Sequence, residues 1–210
     1  MDLKNRMTGE ERREQILDAA LAVFAEGGYA GTTTDQVARA AGVSQPYVVR
    51  VFGTKQQLFL ELYTQATRRV VEALAAVRPG PDAKDEMGEA YVSLLADRNL
   101  LRVVMHGFAS TDPEIGRLAR GTLGAVFRLF RERTGADEHA AEGFVAQGML
   151  INVLLMTGVP DHLGEDAAVD ALAACVLDSA PRDTATPPFV HCPPPPPTSP
   201  RATPSAAPDV

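Results

Sequence analysis

Apolar residues recur at helical spacing along nearly the whole chain, and no segment alternates with the period of two that marks a half-buried strand. The first stripe is Ile16, Leu17, Ala20, Leu21 and Phe24, and it stops at Gly27-Gly28, a usual C-terminal signal. A short helix is predicted from Thr34 to Ala41, closed by Gly42, and another from Gln45 to Phe52 behind Ser44 as its cap. Thr54-Lys55-Gln56-Gln57 reads as a capping box opening a long helix with the stripe Leu58, Leu62, Ala66, Val70, Leu74 and Val77. Pro79-Gly80-Pro81 ends that stretch. Further helices are predicted over Asp82–Ala96, Asn99–Ala109, Pro113–Thr134, Asp137–Thr157 and Asp166–Ser179, separated by turns rich in Gly, Pro and Asp. The pattern as a whole predicts an all-α fold of nine helices.

From Pro181 the character changes. Eleven of the 16 prolines lie between Pro181 and Pro208, with a run from Pro193 to Pro197. Few apolar residues remain there to offset the entropy of ordering, so residues 181–210 are expected to form a disordered, polyproline-II-like tail. A ligand for a proline-recognition module is the alternative. The chain has no stretch of 18 uncharged apolar residues, so no membrane span is expected. No apolar segment of signal-peptide type follows the N-terminus, and the two cysteines, Cys175 and Cys192, form no disulfide framework. A reducing cytoplasm fits these features.

Charge is divided unevenly. Residues 1–55 hold seven positive and seven negative side chains, so the remaining residues carry the whole net charge of −7. A neutral head on an acidic body can bind phosphate only where its cations gather on one face. Any case for nucleic acid therefore rests on the motif.

That motif runs from Thr33 to Lys55. Val37, Ala41 and Val43 supply apolar positions around a tight turn, Ala38 is small where the second helix approaches, and Gly42 permits the positive φ that makes the turn sharp. Val48 and Val51 face inward from the second helix, which leaves Gln45, Tyr47 and Arg50 outward. A helical hairpin inside an ordinary α domain accounts for Gly42 and the valines. It does not account for Gln, Tyr and Arg together on the outer side, groups that can hydrogen-bond base edges and phosphates in a major groove.

The stretch from Ile16 to Leu62 resembles the DNA-binding head of the TetR/AcrR family of repressors. The matching residues are I-L-D-A-A-L-A-V-F-A-E-G-G-Y, then T-T-T-D-Q-V-A-R-A-A-G-V-S, then F-G-T-K-Q-Q-L-F. Beyond Leu62 the likeness lies only in helix number and length. The resemblance implies a three-helix head with a helix-turn-helix (1–53) and a six-helix ligand-binding and dimerisation body (54–180). It further implies a homodimer that acts as a repressor, released from a palindromic double-stranded operator by an apolar small-molecule effector. Ser44, Gln45, Tyr47 and Arg50 match the recognition-helix positions that face DNA. Thr33 and Thr34 match positions that touch phosphate, and Lys55 matches a phosphate-contacting lysine at a helix N-terminus. Many members carry aromatic residues around Val49 and Val51, and here Val49-Arg50-Val51 shifts more of that contact to Arg50.

In the body, Tyr91, Met105, Phe108, Phe127 and Phe144 are core residues by type, and the resemblance implies that some of them line an effector cavity. His106, set in an apolar helix, is the polar group expected to touch the ligand, with a structural histidine as the alternative. The helix from Phe144 to Met156 is apolar almost all round and, with Ala168–Leu177, is expected to form a four-helix homodimer interface; an interior helix of a monomer is the alternative. The long helix after Thr54 is expected to be the lever between body and head. No metal site, cofactor or catalytic residue is expected. His106, His139, His162 and His191 lack metal-ligand spacing, and His139-x-x-Glu142 and His162-x-x-Glu165 lack a second pair. A phosphate loop and a nucleophile elbow are both absent. An enzyme is thus the weakest rival, behind a helical interaction module without operator binding.

Overall fold

The computed structural model describes residues 7–177. Among them are nine α-helices and no strand: α1 (Gly9–Gly31), α2 (Thr34–Ala40), α3 (Gln45–Phe52), α4 (Lys55–Ala75), α5 (Ala83–Leu94), α6 (Arg98–Phe108), α7 (Pro113–Thr134), α8 (Glu138–Met156) and α9 (Ala167–Leu177). A 3-10 turn over Val159–Asp161 joins the last two. The proline-rich tail, with His191 and Cys192, and the expected extension of the last helix to Ser179 lie outside the described residues.

Local chemistry sets the boundaries. Three helices open with a reciprocal capping box: Thr8 with Glu11, Thr33 with Gln36 and Thr54 with Gln57. In each, the threonine hydroxyl accepts from the backbone N–H three residues on, while that residue's side chain accepts from the threonine's own N–H. Asp112 and Asp137 cap α7 and α8 through their carboxylates, and Gly135 closes α7 in the left-handed region at φ 69°. The first helix does break at Gly28, whose φ of 63° leaves the helical region, although one further turn carries it to Gly31.

One continuous apolar core runs from Ile16 in α1 to Ala141 in α8. The predicted stripes are its spine: Ile16, Leu17, Ala20 and Phe24 of α1, and Leu58, Leu62, Ala66, Val70 and Leu74 of α4, are all buried. Phe59 joins the two helices, with ring centroids 4.9 Å from Phe24 and 5.1 Å from Tyr29. Each such buried aromatic contributes about 1.5–3 kcal/mol relative to exposure. A polar clamp adds to this. Arg13 of α1 donates from Nε to Glu61 of α4 at 2.8 Å, and from a terminal nitrogen to the Val51 carbonyl of α3 at 3.1 Å. Its guanidinium also lies 4.5 Å from the centre of the Phe52 ring, so one side chain fastens three helices.

α4 touches α1 and α3 on one side and α5, α6 and α7 on the other, as expected of a helix shared by two units. The structure adds a second shared element, because α6 packs along α1. α8 is long and apolar enough, by length and hydropathy, to cross a membrane. It packs on α7 and α9 and carries the buried polar residue Asn152, while Val153 and Met156 on the same helix are exposed.

Candidate functional site

The α2–α3 turn has the geometry its residues predict. Gly42 sits at φ 65°, a conformation that strains any residue bearing a Cβ, and its N–H donates to Arg39 O at 3.2 Å. Val43 N–H reaches back to Ala38 O at 3.0 Å, which closes the turn. Val37, Ala38, Ala41, Val48 and Phe52 are buried behind it, and Val43 and Val51 are half-buried. Burial of these residues fixes which side of α3 can face outward.

On that outer side, Ser44 is the N-cap of α3 by backbone geometry, but its hydroxyl makes no capping bond. Gln45 donates from Nε2 to Thr34 Oγ1 at 3.3 Å, so the starts of α2 and α3 are tied side by side. Tyr47 is half-buried, and the Arg50 guanidinium lies over its ring, 4.6 Å from the centroid. Thr33, expected at phosphate, also serves as the α2 cap: Thr33 Oγ1 accepts from Gln36 N at 3.2 Å. Lys55 is committed too, its Nζ donating to Tyr29 O at 2.9 Å above the Tyr29 ring. The structure therefore gathers Thr33, Thr34, Ser44 and Gln45 at two adjacent helix starts. Tyr47 and Arg50 lie further along α3, and Lys55 is at the head of α4.

Electrostatics single out Arg50. Arg13 is paired with Glu61 and Arg39 with Asp35, while Arg12 donates to Gln15. Arg50 is exposed and donates no hydrogen bond to the protein among the described residues, so its donors remain available. Stacking on Tyr47 restricts the guanidinium and lowers the entropy lost when it engages a base or phosphate.

The body encloses a cavity of about 570 Å³ between α4, α5, α6, α7 and α8, with Val176 of α9 at its edge. Of the residues expected at the effector, Tyr91, Phe108 and Phe144 line it. Met105, His106 and Phe127 do not. Leu100, Leu101, Val104 and Phe108 form the cavity face of α6, and His106 lies about 200° round the helix from Val104. It therefore points at α1, where its Nε2 is 3.1 Å from Ala25 O. Phe127 is half-buried near Arg131 instead, with the guanidinium 6.0 Å from its ring centre. The sequence reading also passed over Asn152, which lines the cavity, is 3% exposed, and accepts a 2.6 Å bond from Tyr91 Oη. It is the lone polar residue in M-L-I-N-V-L-L-M, and that isolation was the available signal.

Beyond His106, which reaches α1, the cavity wall also meets α4 directly. Beside His106, Gly107 abuts the Tyr63 ring of α4, and Tyr63 Oη donates to Val104 O at 3.4 Å. Gln56 of α4 donates from Nε2 to the Asp112 carboxylate at 2.8 Å. On the far side of the body, α8 and α9 leave Val153, Met156, Val169 and Leu172 exposed.

Residues 16–62 match the model of the family described as bacterial regulatory proteins, tetR family. The chain is 28% identical over 155 residues to the transcriptional activator FasR of Mycolicibacterium smegmatis, covering 70% of each chain. It is 40% identical over 146 residues to the transcriptional regulator HbdR of an Aromatoleum species, covering 59% of this chain and 63% of that one. Among solved structures, the multidrug binding protein EbrR complexed with imidazole shares the fold at a TM-score of 0.57 and 22% identity, over 89% of this chain and all of that one.

Proposed function

The chain belongs to the tetR family of bacterial regulatory proteins and is a DNA-binding transcriptional regulator; from that premise we propose that it represses from a palindromic operator until an apolar small molecule enters its body. It is a regulator and not an enzyme. The head is residues 1–53 and the body residues 54–180. The observation that carries the reading is the α2–Gly42–α3 unit, with Ser44, Gln45, Tyr47 and Arg50 on its outer side.

In this reading α3 enters the major groove. Arg50, stacked on Tyr47, and Gln45, held by Thr34, offer donors to base edges. Ser44, Thr33 and Thr34 meet phosphate at the helix starts, where exposed N–H groups and the helix dipole favour an anion. Lys55 adds its remaining N–H donors there without leaving Tyr29.

The protein acts as a homodimer through α8 and α9 in the cytoplasm. The exposed apolar residues Val153, Met156, Val169 and Leu172 support this, because a face so placed on two helices is costly to leave in water. A symmetric dimer presents two α3 helices to half-sites about 34–36 Å apart, or a multiple of that. An occupant of the cavity presses on Leu101, Val104 and Phe108, and the same helix carries His106 against α1 of the head and Gly107 against Tyr63 of α4. α6 thus shares the lever role with α4. Binding shifts the population toward head spacings that do not fit the operator.

Selection of bound fragments from random duplex DNA by the full-length protein tests this function. A palindromic consensus with two half-sites is the expected result. Recovery of unrelated sequences in proportion to their input overturns it.

A further inference from the structure

The polar groups of the cavity divide by depth: Ser93 is exposed, Gln147 is half-buried and donates to Val176 O at 3.5 Å, and the buried Thr122 donates its hydroxyl proton to Leu118 O. Lys84, Asp85 and Glu89 line it from α5, where Lys84 and Glu89 are exposed and Asp85 is half-buried, so their charges keep their water. Asn152 lies inside at 3% exposure. Its Oδ1 accepts the Tyr91 hydroxyl at 2.6 Å, and burial raises the Tyr91 pKa above that of a free phenol, which keeps this donor protonated. The bond fixes the amide orientation. Oδ1 takes the proton, and no acceptor among the described residues receives the two N–H donors of Nδ2. Arg133 Nε is the one sealed side-chain polar atom without a partner among the described residues, so Nδ2 of Asn152 opens onto space that a ligand can enter.

A buried amide with unmet donors in an apolar chamber selects for an acceptor. Donation from Tyr91 polarises the amide and strengthens its N–H groups. A carboxylate ligand would find no buried cation at this point, because Lys84, the cation among the lining residues, is exposed, and that is a costly arrangement. An ammonium would meet N–H groups of its own kind. We propose that the effector is an uncharged, largely apolar molecule bearing a carbonyl-type acceptor, an ester, ketone, amide or lactone, anchored by Asn152 Nδ2 with Tyr91 as the residue that positions it. The proposal rests on the reading of this cavity as the effector site.

The test uses the full-length protein with phenylnaphthylamine as a fluorescent occupant, displaced in turn by methyl octanoate, octanoate, octylamine and octane. Methyl octanoate is expected to displace the dye at concentrations about tenfold below those needed for octanoate or octylamine. Asn152→Leu is expected to abolish that preference while leaving octane unchanged, and Tyr91→Phe to weaken it. Asn152→Asp removes the donors with little change of shape and should turn the preference toward octylamine, which keeps the test standing where the leucine variant does not fold. If the dye and octane bind but the ester has no advantage, or the advantage survives in both Asn152 variants, the anchor is wrong while the cavity reading stands. If neither dye nor any ligand binds, or occupancy leaves operator affinity unchanged, the effector-site reading itself falls, and the proposal with it.

Discussion

Gly107 of α6 lies against the ring of Tyr63 in α4 so closely that a Cβ at position 107 would stand 2.0 Å from Tyr63 Cε2. Tyr63 is fully buried, with its ring 5.9 Å from that of Phe59, and cannot move aside without disturbing the α1–α4 contact. Gly107→Ala is therefore expected to destabilise the protein by about 1–3 kcal/mol, the usual cost of overpacking. Denaturant unfolding of the two proteins at equal slope measures the difference.

His106 stands over Gly28 at the break in α1. A Cβ on Gly28 would approach His106 Nδ1 to 3.2 Å, and the φ of 63° disfavours any side chain there. His106→Ala should cost about 0.5–1.5 kcal/mol through its bond to the Ala25 carbonyl. Gly28→Ala should cost on the order of 1 kcal/mol from backbone strain, and more from the ring. Because the ring and the new methyl compete for one space, the double variant should be less destabilised than the sum, by about 0.5 kcal/mol or more. A double-mutant cycle from thermal or urea unfolding reads this coupling; strict additivity would separate the two residues.

Burial raises the Tyr63 phenol above its ordinary pKa of 10.0. The folded protein keeps a proton that the unfolded chain releases, so this contribution to stability is complete below pH 10 and is lost as pH rises beyond it. Tyr91 shifts in the same direction. Urea midpoints measured up the alkaline limb should fall with pH, and Tyr63→Phe should make that fall shallower without removing it.

Helix number and the turn of the head were legible because their causes are local. The stripes of α1 and α4, the Thr54 box and Gly42 each declare themselves within a few residues. Two further capping boxes, at Thr8 and Thr33, were equally readable and were passed over. The site in the body was less legible because residue type does not give direction. His106 is a polar residue beside an apolar run of its helix, yet its angle puts it on the α1 face, while Val104 and Phe108 take the cavity. Met105 and Phe127 misled in the same way. Asn152 showed the opposite failure: one polar residue in an apolar run is unremarkable until Tyr91, far away in sequence, is found to donate to it.

Arg50→Ala should cost about 1–3 kcal/mol of operator affinity at a single base if the guanidinium reads a base edge. Repeating the fragment selection with the variant locates that base, because the consensus relaxes there alone. A uniform loss across all sequences would make Arg50 a phosphate contact and shift the reading to Gln45 and Tyr47.

Gel-shift titration of the full-length protein, across a salt series, compares the selected palindrome with a scrambled duplex of the same composition. Affinity for both should fall steeply with salt, as phosphate contacts require, while the palindrome keeps an advantage of roughly a thousandfold or more. Equal affinity for the two duplexes at every salt concentration would contradict sequence-specific binding by the α2–Gly42–α3 unit.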